Sequence, residues 1–219
     1  MKLPVFSFLS VLLLLSCGGN TKASPQADSV QNTSQSAVSG QEKTTQNQAI
    51  TPLTPKSNTQ TSWKEALQKA GFTVFPEPQT LPTIMVSDPT GKQIDIVNFR
   101  GSFVLLNFWA TWCPPCRAEM PSMEQLYKTL QDEAFTIFAI STGEKPETVQ
   151  NFLKANPHSF PIGLDPTGQL GAMFASRGIP TTYIIDTNGK AIGGAIGGRD
   201  WMNDQILEAF RLLLTTYPD

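Results

Sequence analysis

The chain has 219 residues, of which 40% are hydrophobic and 16% charged, and its formal net charge at pH 7 is −2. That near balance argues against a nucleic-acid partner, which would favour a basic surface. The cysteines are Cys17, Cys113 and Cys116; there is no second close pair and His158 is the lone histidine, which disfavours a four-ligand zinc site.

Residues 1–17 read as an export signal, with Lys2 before an apolar run from Leu3 to Leu15 that is too short to span a bilayer comfortably. The run ends Leu14-Leu15-Ser16-Cys17-Gly18, which resembles the lipobox of bacterial lipoproteins. Cleavage there would leave a lipidated Cys17 as the mature N-terminus; the other reading is an ordinary signal peptide with an incidental cysteine. Residues 18–61 have no aromatics, and their only large aliphatics are Val30, Val38, Ile50 and Leu53. Such a segment buries too little apolar surface to offset its conformational entropy, so a disordered polar tether is expected. As a random coil it would span about 35–40 Å r.m.s..

Residues 62–219 are expected to form one domain, a comfortable size for a single core. Ser62-Trp63-Lys64-Glu65 is a capping-box pattern that predicts a short helix ending at Gly71. Extended residues follow around Thr83–Val86, then a turn at Asp88-Pro89-Thr90-Gly91 and a returning strand over Gln93–Val97. Phe103–Trp109 is almost continuously apolar, as in a strand covered on both faces. A helix should leave from Cys113, followed by an apolar strand at Phe135–Ile140. Pro146 opens another helix with Val149, Phe152 and Leu153 on one face; a shorter one carries Leu170, Met173 and Phe174. Asn188-Gly189 between Thr181–Asp186 and Lys190–Ala195 predicts a hairpin. The glycines at 193, 194, 197 and 198 suit a bulge and the approach to a last helix, which Asp200 would cap and which turns Met202, Ile206, Phe210 and Leu213 inward. Strands alternating with helices imply an α/β domain, a central mixed sheet with helices on both faces.

Trp112-Cys113-Pro114-Pro115-Cys116 carries the chemistry. A helix beginning at Cys113 would stabilise its thiolate through free N–H groups and the helix dipole. Cys116 heads an apolar stripe with Met120, Met123, Tyr127 and Leu130, so it should be buried, whereas Cys113 should be exposed. The division expected is Cys113 as nucleophile and Cys116 as the resolving thiol, with Trp112 beside the mouth. A purely structural disulfide would more often close a long loop, and CxxC between strand and helix is a redox signature. His158, in Asn156-Pro157-His158-Ser159, reads as a surface residue with no evident ligand partners.

The run Asn107 to Arg117, Pro121, Gly178-Ile179-Pro180-Thr181-Thr182-Tyr183 and Asp186-Thr187-Asn188-Gly189 resemble the thioredoxin superfamily, in its TlpA/ResA-like membrane-anchored branch. The resemblance implies a thioredoxin fold with an N-terminal extension and a redox disulfide between Cys113 and Cys116. It implies a cis-proline at Pro180, where residues alone leave a trans-proline on an edge strand equally open, and client pairing along the Ile179 backbone. Ordinary thioredoxins carry a buried aspartate where this chain has Asn107, which cannot titrate. Glu119 falls where ResA-like members have a glutamate implicated in tuning the cysteines; a carboxylate there could raise a thiol pKa or relay a proton, or be a solvated helix residue.

The expected function is an extracytoplasmic, membrane-anchored thiol–disulfide oxidoreductase (periplasmic in a two-membrane cell). It would reduce disulfides of exported client proteins, for example in cytochrome c maturation or copper-site assembly. A transmembrane thiol electron donor would recharge it, and no cofactor or resident metal is expected. A copper metallochaperone using the same cysteines is the alternative. A thiol peroxidase is disfavoured by Ala110, where peroxiredoxins want Thr or Ser.

Overall fold

A computed structural model describes residues 62–218. The export signal expected at 1–17, Cys17 and the tether at 18–61 lie outside the described residues. The domain runs α1 (Trp63–Lys69), β1 (Thr73–Thr80), β2 (Met85–Ser87), β3 (Gln93–Asp95), a 3-10 turn (Ile96–Phe99), β4 (Phe103–Trp109), α2 (Pro114–Thr129), β5 (Phe135–Thr142), α3 (Pro146–Ala155), β6 (Ile162–Asp165), α4 (Gln169–Phe174), β7 (Thr181–Ile185), β8 (Lys190–Ile196) and α5 (Asp204–Thr216). The eight strands form one sheet in the order β1-β8-β7-β4-β5-β6-β2-β3. Only β4/β5 and β5/β6 are parallel, so the sheet is mixed as expected.

β4 is buried along its whole length, and its alternation builds two cores. Phe103, Leu105 and Trp109 face the larger one with Leu67 of α1, Met120 and Met123 of α2, Val149 of α3 and Phe210 of α5. Val104, Leu106 and Phe108 face the other, closed by Phe174 of α4, by Val86 of β2 and by Ile84 just before it. Helices therefore cover both faces. At the Phe103 end of β4, Tyr217 packs its ring edge-to-face with Phe103 at 5.3 Å and tilted against Trp63 at 5.0 Å, and its hydroxyl donates to Asp186 (2.9 Å). This pins the start of α1 and the end of α5 to the base of the sheet.

The capping box forms as read: Ser62 Oγ accepts from Glu65 N, and Glu65 accepts from Ser62 N. The Asn188-Gly189 hairpin forms too, with Gly189 at φ 81° and Asp186 Oδ1 accepting from the amides of Asn188 and Lys190. Three expectations are corrected. The strand begun at Gln93 stops at Asp95, because the Asp95 side chain caps the 3-10 turn by accepting from Val97 N. The last helix is capped by Asn203 and not Asp200, whose carboxylate instead accepts from Met202 N in a preceding turn. The bulge between β7 and β8 falls at Ile192, since Ile184 pairs with Gly193 but Ile185 with Ala191.

Gly193 and Gly194 serve close approach: an added Cβ would lie 2.6 Å from Thr73 O and 2.6 Å from Thr182 O respectively. Backbone oxygens inside a sheet cannot step aside as a side-chain tip can. Gly194→Ala is expected to destabilise the domain by about 1–3 kcal/mol, read as a lowered urea midpoint with unchanged slope; an unchanged midpoint would contradict the packing.

Candidate active site

β4 delivers the chain to the cysteine pair and α2 carries it away. Cys113 is the N-cap of α2, with Pro114 and Pro115 in the first turn, where missing N–H groups cost nothing. The Cys116 amide donates to Cys113 Sγ at 3.3 Å, and the two sulfurs form a disulfide with Cα atoms 5.3 Å apart. An amide hydrogen aimed at this sulfur favours its ionised form once the bond is reduced. Cys116 is fully buried, as its place on the apolar stripe requires.

The expected exposure of Cys113 is corrected: the residue is 3% exposed. Its sulfur is tied to the buried Cys116 and lies 3.8 Å from Ile179 O, beneath the loop that precedes β7. The N-cap position holds, but the sulfur is recessed instead of standing proud. Trp112, by contrast, is 67% exposed beside it. The Ile179–Pro180 bond is cis, with Ile179 half-buried and Pro180 buried.

Glu119 is buried, at 2% exposure, which removes the solvated reading. Its Oε1 accepts from Asn107 Nδ2 (3.0 Å), and its Oε2 accepts from Trp201 Nε1 (3.1 Å) and the Arg199 amide (3.3 Å). Burial raises the carboxyl to about 7, against those three donors and the nearby Arg199 cation, which favour the anion. Asn107 also donates to Thr182 Oγ1 (3.0 Å), its cross-strand partner in β7. Asn107, which cannot itself titrate, thus helps to hold a buried carboxyl raised to about 7.

Three contributors escaped the sequence. Glu144 accepts from the Thr111 amide (2.8 Å), from Ser141 Oγ (2.8 Å) and from Thr111 Oγ1, clamping the turn that leads into the cysteines. Trp201 and Arg199 come from the segment between β8 and α5; an aromatic set off the apolar stripe of α5, just after Gly197-Gly198, was the available clue. His158 is also corrected. Its side chain is only 7% exposed and its ring stacks on Phe160 at 5.1 Å, with neither ring nitrogen hydrogen-bonded among the described residues. Burial lowers its pKa below the ordinary value.

A cysteine pair at the start of a helix, a facing cis-proline and a buried carboxyl on the same helix define a thioredoxin-like dithiol site. The AhpC/TSA family pattern matches residues 78–192, and the chain belongs to that family. The thiol-disulfide oxidoreductase ResA of Bacillus thuringiensis subsp. konkukian is 38% identical over 111 residues, 51% of this chain and 64% of that protein. The chain therefore matches a little under two thirds of that relative's length. A thiol:disulfide interchange protein of the thioredoxin family from Chlorobium tepidum TLS has TM-score 0.52 and 30% identity, covering 62% of this chain and 98% of its own. The exposed lipoprotein thioredoxin Etrx1 of Streptococcus pneumoniae TIGR4 has TM-score 0.51 and 26% identity, covering 59% and 98%.

Proposed function

We propose that the chain is an extracytoplasmic thiol–disulfide oxidoreductase that reduces disulfides of exported proteins. The observation that carries this reading is the Cys113 sulfur at the N-cap of α2, disulfide-bonded to Cys116 and 3.8 Å from the carbonyl that precedes the cis-proline. The named activity of the ResA relative agrees with it.

In the reduced state the Cys113 thiolate attacks one sulfur of a client disulfide, forming a mixed disulfide and releasing one client thiolate. Cys116 then attacks Cys113, closing the intramolecular disulfide and releasing the second. The client gains two electrons and two protons, one from the Cys116 thiol and one from water, because Cys113 enters as a thiolate. Glu119, with a carboxyl near 7, takes the proton from the Cys116 thiol and passes it toward the leaving sulfur. A client strand docks along the Ile179 backbone, while Trp112 offers an exposed apolar contact.

Two electrons must be returned in each cycle, and a transmembrane thiol donor would supply them, because compartments outside the cytoplasm are kept oxidising. Attachment through a lipidated Cys17, with residues 18–61 as tether, completes the reading; the lipoprotein in the Etrx1 name supports it. No helix among the described residues is long and apolar enough to cross a membrane.

The test is reduced protein mixed with an oxidised, unfolded polypeptide. Stoichiometric thiol release supports the reading and its absence sinks it. A reduction potential near roughly −120 mV would reverse the direction. Trp112→Ala should leave the urea midpoint within about 0.5 kcal/mol of the parent, yet weaken client docking about tenfold, seen as a raised KM at constant kcat.

A further inference from the structure

The segment from Gly197 to Trp201 touches three parts of the site: Pro180, the start of α2 and Glu119. Gly197 N donates to Pro180 O (2.8 Å), at the proline that faces the cysteines. Gly198 packs so tightly on the first turn of α2 that a Cβ there would sit 3.0 Å from Pro115 O. Arg199 and Trp201 supply two of the three hydrogen bonds on Glu119. Trp201 is fully buried, and its amide donates to Ser122 Oγ (3.1 Å), which in turn donates to Glu119 O (2.8 Å). One strap therefore joins the client-facing proline, the cysteine helix and the acid.

We propose that this strap is a positioning element of the dithiol site, in which Trp201 through its indole N–H, and Arg199 through its amide and its cation, fix the orientation and ionisation of the Glu119 carboxyl. This rests on Glu119 being the proton carrier of the proposed exchange reaction. The strap supplies the charged groups near Glu119 from outside its own helix. β4 and β7 offer only Asn107 and Thr182, neither of which titrates, and α2 itself carries Cys116 one turn earlier. The Arg199 guanidinium is held over the rings of Phe72 (4.6 Å) and Trp201 (5.4 Å) and makes no ion pair with Glu119 among the described residues. It acts by its field, without neutralising the acid outright. On the solvent side, a shallow concavity of about 520 Å³ is lined by Pro115, Glu119, Ser122, Arg199 and Asp200. This concavity lies between α2 and the strap, with Arg199 and Asp200 of opposite charge in its lining.

The experiment follows the Glu119 side-chain carboxyl of the oxidised protein by NMR from pH 5 to 9. Trp201→Phe keeps a ring but deletes the N–H, so the Glu119 midpoint should rise by about one pH unit. Arg199→Gln keeps the amide but deletes the charge and should raise it by less. Should Trp201→Phe fail to fold, Ser122→Ala, which deletes the hydroxyl that links the Trp201 amide to Glu119 O, should raise it as well. Midpoints unmoved in the folded variants overturn the proposal. Disulfide reduction, assayed in parallel, separates the two readings. Shifted midpoints without any thiol release support the strap and sink the oxidoreductase; unmoved midpoints with normal thiol release sink the strap alone.

Discussion

Cys113→Ser is expected to abolish thiol release from an oxidised polypeptide, leaving only the uncatalysed background, whereas Cys116→Ser is expected to complete half a cycle and stop. The asymmetry follows from the cap of α2. The Cys116 amide points at Cys113 Sγ (3.3 Å), so the hydrogen bond that favours a thiolate acts on residue 113 alone. A serine hydroxyl at 113 is not ionised near neutrality and cannot replace it. With serine at 116, the Cys113 thiolate still attacks a client, but nothing resolves the mixed disulfide, which should accumulate as a reducible species on gels. If Cys113→Ser formed such adducts and Cys116→Ser did not, the roles would be exchanged and the proposed mechanism wrong. Because Cys113 is only 3% exposed, alkylation of the reduced protein is expected to favour small reagents over bulky ones.

Glu119→Gln carries the second large effect, and its sign is fixed by linkage. Burial raises the Glu119 carboxyl to about 7 from 4.5 in the unfolded chain. Between those values the folded state holds a proton that the unfolded state has lost, so stability from this group is fully present below pH 4.5 and drains away as pH rises through 7. A shift of this size corresponds to about 3 kcal/mol. Urea midpoints of the parent at pH 5 and pH 8 should therefore differ more than those of Glu119→Gln, by an amount of that order. The same substitution should remove an inflection near neutrality from the pH profile of exchange. Parallel stability curves for the two proteins would show that the acid does not titrate in this window.

Much of the scaffold was legible because local chemistry agreed with the final packing. The seven-residue β4 reads as buried on both faces and is; Asn188-Gly189 reads as a hairpin and is. Where the reading failed, long-range contacts decided. β1 contains Pro76 and Pro78, which argue against a strand, yet it pairs with β8 at an edge of the sheet, where missing donors are tolerated. β6, Ile162–Asp165, is too short to show a period, and only its place beside β5 makes it a strand. Met173 lies on the short helix as expected, and it is 60% exposed while Phe174 beside it is buried. Glu119 stood equally well as a solvated side chain; Asn107 in β4 and Trp201 beyond β8 place it in the interior, and neither is near it in sequence. The burial of His158 under Phe160 was equally invisible, because an Asn-Pro-His-Ser turn says nothing of the ring it will meet.

The aromatic knot of Trp63, Phe103 and Tyr217 lies where β4 begins, and the sulfurs lie beyond where β4 ends. Seven residues of strand separate the two poles, about 20 Å. The described chain enters at Ser62, at the pole away from the sulfurs, so that entry point is far from the chemistry.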